Sequence, residues 1–372
     1  MALPIDKLRT SVKTFVFIVL LLTLCGIIFV YSSSCIYALE KFGSDIYFLK
    51  RQLFYLIPSL AGFLLFAALP RERWQQYAPW LFLTSLALTA ATQIPGLGST
   101  VHGASRWLKM GPFGFQPSEV LKLFLIMYMG YFLDKKQNRI KSFLYTYLPF
   151  LVVLGVTSLV LLKQPDFGSV VTLFSTALVL FFVAECNLTY LVITALLACP
   201  AIIYLVLSQS YRLSRILIFL NPWSDPQGKG FQIIQSLIAI GSGQLWGLGI
   251  SNSRQKFFYL PMQHTDFIFP IIAEEVGFVG SMVLLLLYAC FLLFGLRVVL
   301  AFRNPFSFFT GLGFVVFLTI QAVINLMVAC GLLPTKGLGL PFMSYGGTAL
   351  ICAWCMVGFV VNGVRAERFN TN

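Results

Sequence analysis

Read from its first residue, the chain alternates long apolar runs with short polar ones. Ten runs, at about 14–33, 53–69, 79–95, 117–133, 143–162, 168–184, 188–208, 267–290, 308–330 and 345–364, reach or approach the ~20 mainly apolar residues that cross ~30 Å of hydrocarbon as a helix. The polar segments between them are short, with one exception. Gln209 to Thr265 far exceeds the ~2–8 residues usual between packed helices, and it is rich in Gly, Ser, Gln and Trp. It holds an eleventh, weaker run, Phe231 to Ile250, broken by Gln232, Gln235, Ser242, Gln244 and four glycines. Polar backbone at membrane depth must be covered by protein or water, so this stretch is predicted to be re-entrant or interfacial. The pattern therefore predicts an all-α polytopic membrane protein of about ten transmembrane helices, with a long extracytoplasmic loop between spans 7 and 8. Residues 1–372 are expected to form a single membrane domain, without internal repeats or low-complexity stretches.

Composition agrees with the pattern. Hydrophobic residues make up 58% of the chain and charged residues 10%, against ~45–50% and ~25% in soluble domains, and the mean hydropathy is +0.86. The apolar run after Lys7, Arg9 and Lys13 is too long for a signal peptide and lacks a small-residue cleavage site, so it reads as the first span. Of the eight cysteines, Cys25, Cys199, Cys290, Cys330, Cys352 and Cys355 lie inside apolar runs, which excludes a disulfide scaffold and a zinc site. No Gly-rich phosphate loop precedes a lysine in the Walker spacing. Nucleic acid is excluded as a partner by the lack of a soluble basic module.

Charge adds direction. The 26 Lys and Arg against 13 Asp and Glu leave +13. Ten spans put both termini on one side, together with Arg71, Arg73, Lys135, Lys136, Arg139, Lys141, Arg297, Arg303, Arg365 and Arg368. By the positive-inside rule that side is cytoplasmic. About half of the cations nevertheless fall on the outer face, Arg106, Lys109, Lys163, Arg212, Arg215, Lys229, Arg254, Lys256 and Lys336 among them. An anionic ligand at the outer surface accounts for them; simple solvation is the competing reading.

Ionisable residues in or beside the spans are few, and each is a candidate for function. Glu119 and Lys122 sit three apart on one face of the fourth span and read either as an internal ion pair or as a lysine presented to phosphate. Asp166, just before the sixth span, is a cap or a site residue. The densest group is His264-Thr265-Asp266 with Glu274-Glu275 at the mouth of the eighth span. There Asp266 is an N-cap or a reacting carboxylate, and one of the two glutamates is expected to pair with Lys122 across helices. Ser253-Arg-Gln-Lys256 matches an acylating Ser-x-x-Lys but lacks its partner motifs.

Taken together, five ordered motifs resemble the SEDS family (shape, elongation, division, sporulation) over most of the chain. They are Arg106-Trp107 with Gly111-Pro-Phe-Gly-Phe-Gln-Pro-Ser-Glu119, Gln164-Pro-Asp166-Phe-Gly168, Gln235-Ser-Leu-Ile-Ala-Ile-Gly-Ser-Gly243, His264-Thr-Asp-Phe-Ile-Phe269 with Glu274-Glu275, and Leu340-Pro-Phe-Met-Ser-Tyr-Gly-Gly347. Asn252-Ser-Arg-Gln-Lys256 resembles the division and sporulation members more than the elongation member. The resemblance implies a ten-span inner-membrane peptidoglycan glycosyltransferase that polymerises lipid II outside the membrane for septal division. It also implies a class B penicillin-binding transpeptidase and other divisome or elongasome membrane proteins as partners. Asp266 corresponds to the aspartate regarded as catalytic. Arg106, Trp107, Lys109, Gln116, Glu119, Lys122, Arg212, Arg215, Arg254, Lys256 and His264 are the candidate substrate-binding residues, with Asp166, Glu274, Glu275 and Ser344 in support. Relatives usually carry an acid where Met262 stands, a small residue where Pro270 stands, and often Asn in place of His102.

The residues suit the implied chemistry. A β-1,4 strand grown from an α-linked polyprenyl-pyrophosphate disaccharide-peptide donor needs one inverting displacement. Asp266 would take the proton from the acceptor hydroxyl, and outer cations would stabilise the departing pyrophosphate. Desolvation raises an aspartate's pKa and nearby cations lower it. Either substrate neutralises those cations, or Asp266 holds a divalent ion, magnesium or manganese, that bridges the pyrophosphate; no cofactor is otherwise indicated. A flippase for the same lipid would use the buried acids as a polar path, but no pair of interrupted helices is evident in the two halves. The elongation polymerase of the same family and a pure scaffold also compete with the division polymerase.

Overall fold

A computed structural model describes residues 5–94, 98–101, 104–110, 113–208, 210–228, 230–256 and 261–369. In chain order the helices are α1 (Ile5–Phe42), α2 (Tyr47–Ala68), α3 (Arg71–Ala91), α4 (Pro117–Lys136), α5 (Leu148–Lys163), α6 (Phe167–Val183), α7 (Leu188–Leu207), α8 (Ser210–Leu220), α9 (Phe231–Ser242), α10 (Ile268–Val299), α11 (Pro305–Ala329) and α12 (Gly347–Phe369). Each of the ten predicted runs falls on a helix, and α8 and α9 occupy the long loop. Length and composition alone qualify six as membrane spans: α1, α2, α5 with the π-turn Phe143–Tyr147 that leads into it, α10, α11 and α12.

Helix starts follow local chemistry. Pro117 and Pro305 occupy first-turn positions, where no N–H is needed. Asn304 caps α11 by accepting from the Ser307 N–H at 3.0 Å. Helices α11 and α12 are the most deeply buried, whereas α2 shows most of its length to the surroundings. Close approach in the centre uses small residues: a Cβ at Gly130 of α4 would lie 2.0 Å from Thr310 Oγ1 of α11.

The basic loops share one end of the bundle. Asn362 near the end of α12 donates to the Leu69 and Ala67 carbonyls at 2.6 and 3.1 Å. Gln75 at the start of α3 donates to Asp134 at the end of α4 at 2.6 Å. At the other end lies an element that the hydropathy pattern does not predict, an antiparallel sheet between α3 and α4. Its strands β1 (Gly98–Val101), β2 (Ala104–Met110) and β3 (Phe113–Phe115) pair in that order. Trp107 of β2 covers Gly114 of β3, where a Cβ would lie 2.9 Å from the indole.

The eighth predicted span is not a continuous helix. Gly277, inside α10, has φ 68° and ψ −166°, which interrupts the i to i−4 ladder and frees backbone groups inside an apolar bundle. The segment after α9 inserts and satisfies them. Phe278 and Val279 N–H donate to the Gln244 and Leu245 carbonyls at 2.8 and 3.1 Å, while Leu248 and Gly249 N–H donate to the Glu274 and Glu275 carbonyls at 2.9 and 3.0 Å. A Cβ on Gly277 would lie 2.3 Å from the Gly247 nitrogen. The Phe231–Ile250 stretch is thus one helix followed by an inserted strap.

Candidate active site

Asp266 stands two residues before α10, at the end of a turn in which the Met262 carbonyl accepts from Thr265 and Phe267 N–H at 3.1 and 3.3 Å. Phe267, not Asp266, occupies the cap position, and no side chain caps this helix. The capping role therefore fails, and the carboxylate is left for other work. Pro270 sits in the first turn of α10, where its missing N–H costs nothing.

The backbone around Asp266 is held from three directions. Asn325 Nδ2 of α11 donates to the Asp266 carbonyl at 2.8 Å and to the Leu338 carbonyl at 2.6 Å. Ser344 Oγ donates to the Thr265 carbonyl at 2.6 Å and accepts from the Leu340 N–H at 2.7 Å. Tyr345 N–H donates to the His264 carbonyl at 2.9 Å. The 331–346 strap between α11 and α12 thereby fixes where the carboxylate points. Gly337 of that strap faces it: a Cβ there would lie 3.2 Å from Asp266 Oδ2.

Two cations and one acid act on this carboxylate. Arg106 of β2 is anchored by Nε to the Gln164 carbonyl at 2.8 Å and by Nη2 to the Pro165 carbonyl at 2.6 Å. Gln164 is itself fixed, donating to Thr89 O and Thr92 Oγ1 at 2.9 and 2.6 Å. Arg215 of α8 donates to the Thr335 carbonyl of the strap at 3.1 Å. Asp166 caps α6, accepting from Ser169 N–H and Oγ at 3.3 and 2.8 Å. Burial raises the Asp266 pKa from 3.8 to about 6; Arg106 and Arg215 oppose the rise and Asp166 assists it. Lys336 lies over the Phe167 ring at 4.8 Å, and burial pushes its amine down.

Other candidates are placed elsewhere. Lys122 does not reach α10; it pairs with Glu119 on its own helix at 2.6 Å. Glu275 accepts from Ser32 Oγ of α1 at 2.5 Å. Glu274 accepts from the Ser253 hydroxyl and from the Arg254 and Gln255 N–H groups at 3.1 and 3.3 Å. The expected bridge between the fourth and eighth spans is therefore replaced by three separate engagements, of which only that of Glu275 with α1 crosses between long helices. Glu274 instead pins the loop that carries Arg254 and Lys256. Lys256 is buried and bends back to the Ser251 carbonyl, and Arg254 points to the surface. Neither is among the charges that act on Asp266. His264 packs into a cluster of Tyr37, Phe48 and Tyr345 with ring centroids 5.6, 4.4 and 5.8 Å away. Burial, with Lys41 adding to it, lowers its pKa to about 4.

Gln116 joins the end of the sheet to α12, its N–H donating to Thr348 Oγ1 at 3.2 Å. Arg212 lies on α8 within a turn of Arg215. His102, Lys229 and the side chain of Lys109 lie outside the described residues. Three residues of the site are not among those that the sequence singles out: Asn325, Gly337 and Gln321, which donates to the Gly339 carbonyl at 2.8 Å. Asn325 and Gln321 do carry a signal, as amides within an apolar span. Among the described residues no three His, Cys, Asp or Glu side chains converge as metal ligands; Asp166 is the one acid acting on Asp266.

Known proteins agree with this architecture. A probable peptidoglycan glycosyltransferase FtsW of Geobacter sp. strain M18 is 42% identical over 342 residues, covering 92% of this chain and 93% of the relative. Stage V sporulation protein E of Bacillus subtilis is 39% identical over 354 residues, covering 95% and 97%. Among solved structures, a chain from a peptidoglycan synthase complex that coordinates polymerization and crosslinking superimposes with a TM-score of 0.78 at 32% identity, covering 95% of this chain and 97% of that one. The rod shape determining protein RodA of Thermus thermophilus gives a TM-score of 0.69 at 28% identity, covering 94% and 95%. The family model of the FtsW, RodA and SpoVE cell cycle proteins matches residues 12–369, and this chain belongs to that family.

Proposed function

We propose that this chain is a bacterial inner-membrane peptidoglycan glycosyltransferase of the division type, polymerising lipid II at the outer face with Asp266 as general base. One observation carries the reading: the Asp266 carboxylate, raised to about 6, has no capping duty and lies under the influence of Arg106 and Arg215. A base is most useful when its pKa lies near the working pH. Burial outweighs the cations here, so the carboxylate is ionised at neutral pH yet basic enough to accept the proton of an acceptor sugar hydroxyl. Attack of that hydroxyl on the anomeric carbon then expels the polyprenyl pyrophosphate with inversion.

Arg106 uses two of its five N–H donors on the Gln164 and Pro165 carbonyls, which orients the guanidinium. With Arg215, and with Arg212 nearby on α8, it supplies positive charge for the leaving pyrophosphate. Such preorganised donors contribute roughly 2.7–4 kcal/mol each in comparable sites. Trp107, Gln116 and Lys109 belong to the same outer sheet and its exit, and are assigned to the donor's headgroup. A transpeptidase partner fits, because a structural neighbour works in a complex that also crosslinks.

Purified protein in detergent, given labelled lipid II, is expected to produce glycan chains without any second compartment. Translocation of the lipid in liposomes, with no chains formed in either setting, would instead assign a transporter.

A further inference from the structure

The turn that carries Asp266 does not keep its shape unaided. Met262 has φ 55°, a left-handed conformation that a non-glycine residue holds only where its surroundings over-determine it. Neighbours tie the turn down at successive residues. The strap before α12 bonds the backbone at His264 and Thr265. Gln263 is buried and donates to the Lys256 carbonyl at 3.2 Å, and Phe267 packs with Ile271, Ile324, Val328 and Leu338. The tie to α1 and α2 is made by the ring of His264.

That ring enters a socket built by three separate segments. Tyr37 of α1 stacks on it, Phe48 of α2 packs against it, and Tyr345 of the strap meets it edge-on. The socket is itself braced. Phe48 is buried, with Tyr345 edge-on at 5.0 Å and Tyr37 at 6.0 Å, and Arg51, one turn along α2, hydrogen-bonds the Tyr345 side chain. Aromatic contacts of this kind hold more firmly than burial alone. The imidazole, by contrast, offers little to a ligand. Its Nδ1 is buried with no hydrogen-bond partner among the described residues. The charge that acts on it is Lys41 of α1, whereas Arg106 and Arg215 act on Asp266.

We propose that His264 is a positioning residue for Asp266 and not a contact for substrate: its ring, gripped by Tyr37, Phe48 and Tyr345, fixes the 262–266 turn, and with it the carboxylate two residues on, relative to α1 and α2. The inference rests on the reading of Asp266 as the general base. A reacting group displaced by about 1 Å can lose up to 10²-fold in rate, so the packing of one ring is enough to be felt in turnover. Phe48 belongs to the same device, acting from α2.

Steady-state polymerisation of labelled lipid II by the full chain in detergent tests this. His264→Ala is expected to lower kcat by about 10- to 100-fold with KM for lipid II little changed, and Phe48→Ala should give the same split. His264→Phe, which refills the socket and removes the unpartnered nitrogen, should recover most of the lost kcat and melt at or above the wild-type temperature. A raised KM with kcat kept would make His264 a substrate contact, and a His264→Phe variant as slow as His264→Ala would give the role to the imidazole nitrogens. Either result overturns the proposal, as does full activity in His264→Ala. If His264→Ala does not fold, His264→Phe carries the test alone: turnover close to wild type supports the socket, and a loss of about 10-fold or more overturns it. The reading of Asp266 is checked separately, because wild-type polymerisation by Asp266→Asn would sink the base assignment whatever the His264 variants show.

Discussion

The neighbours of Asp266 push its pKa in opposite directions. A base must be ionised to work, so polymerisation should rise with pH through about 6 and level off above it. Arg106 lowers the pKa of Asp266, so Arg106→Gln should move the rise to higher pH while also slowing the plateau. Asp166 raises it, so Asp166→Asn, which retains a capping side chain, should move the rise to lower pH. A pH profile of initial polymerisation rate reads both shifts. Positioning can be separated from chemistry at Asn325, which bridges the Asp266 and Leu338 carbonyls. Asn325→Leu leaves both carbonyls without that donor, at about 1–3 kcal/mol for each that stays buried. It should lower both the melting temperature and the turnover, without moving the pH midpoint.

At the level of elements, α10 combines two requirements that conflict in a continuous helix. Its first segment must hold Asp266, two residues before it, beside Arg106 and Arg215, and its remainder must pack along α1 and α11. The break at Gly277 separates the two, and the Gln244–Gly249 strap takes up the freed backbone groups. Gly277→Ala would place a side chain at φ 68°, against the Gly247 nitrogen. The substitution should cost at least ~1–3 kcal/mol, visible as a lower melting temperature and, because α10 carries the site, as slower polymerisation. This break is not legible in the sequence. Gly277 lies in an apolar run that suits an ordinary span, and the segment that compensates for it is some thirty residues upstream. The Phe231–Ile250 stretch, set apart from the spans by its glutamines and glycines, supplies that segment: a helix followed by the strap that meets the break. The sheet escapes the hydropathy pattern because β1 and β3 are too short for a period-2 alternation to emerge.

Over the whole molecule, hydropathy places the helices well, since the need to satisfy backbone groups in lipid leaves little choice of structure. Charge is less informative about detail. Of the outer cations, Arg106 and Arg215 act on Asp266, whereas Lys256 is folded into its own loop and Arg254 stands on the surface. Sequence spacing cannot distinguish these, because the 164–166 turn, α8, β2 and the 331–346 strap meet only in three dimensions. The buried acids make the same point: Glu119 finds Lys122 within its helix, while Glu274 and Glu275 find hydroxyls at separate places. As the proposed base, Asp266 sits in a site built around it at some cost in stability. A carboxyl whose pKa is raised on folding destabilises the fold as pH climbs from 3.8 through about 6. Asp266→Asn removes that burden, so at neutral pH it should melt at or above the wild-type temperature. The decisive measurement is glycan polymerisation by this variant in detergent, alongside lipid II binding. Polymerisation should fall by about 10²-fold or more with binding largely retained, whereas full polymerase activity would contradict the account.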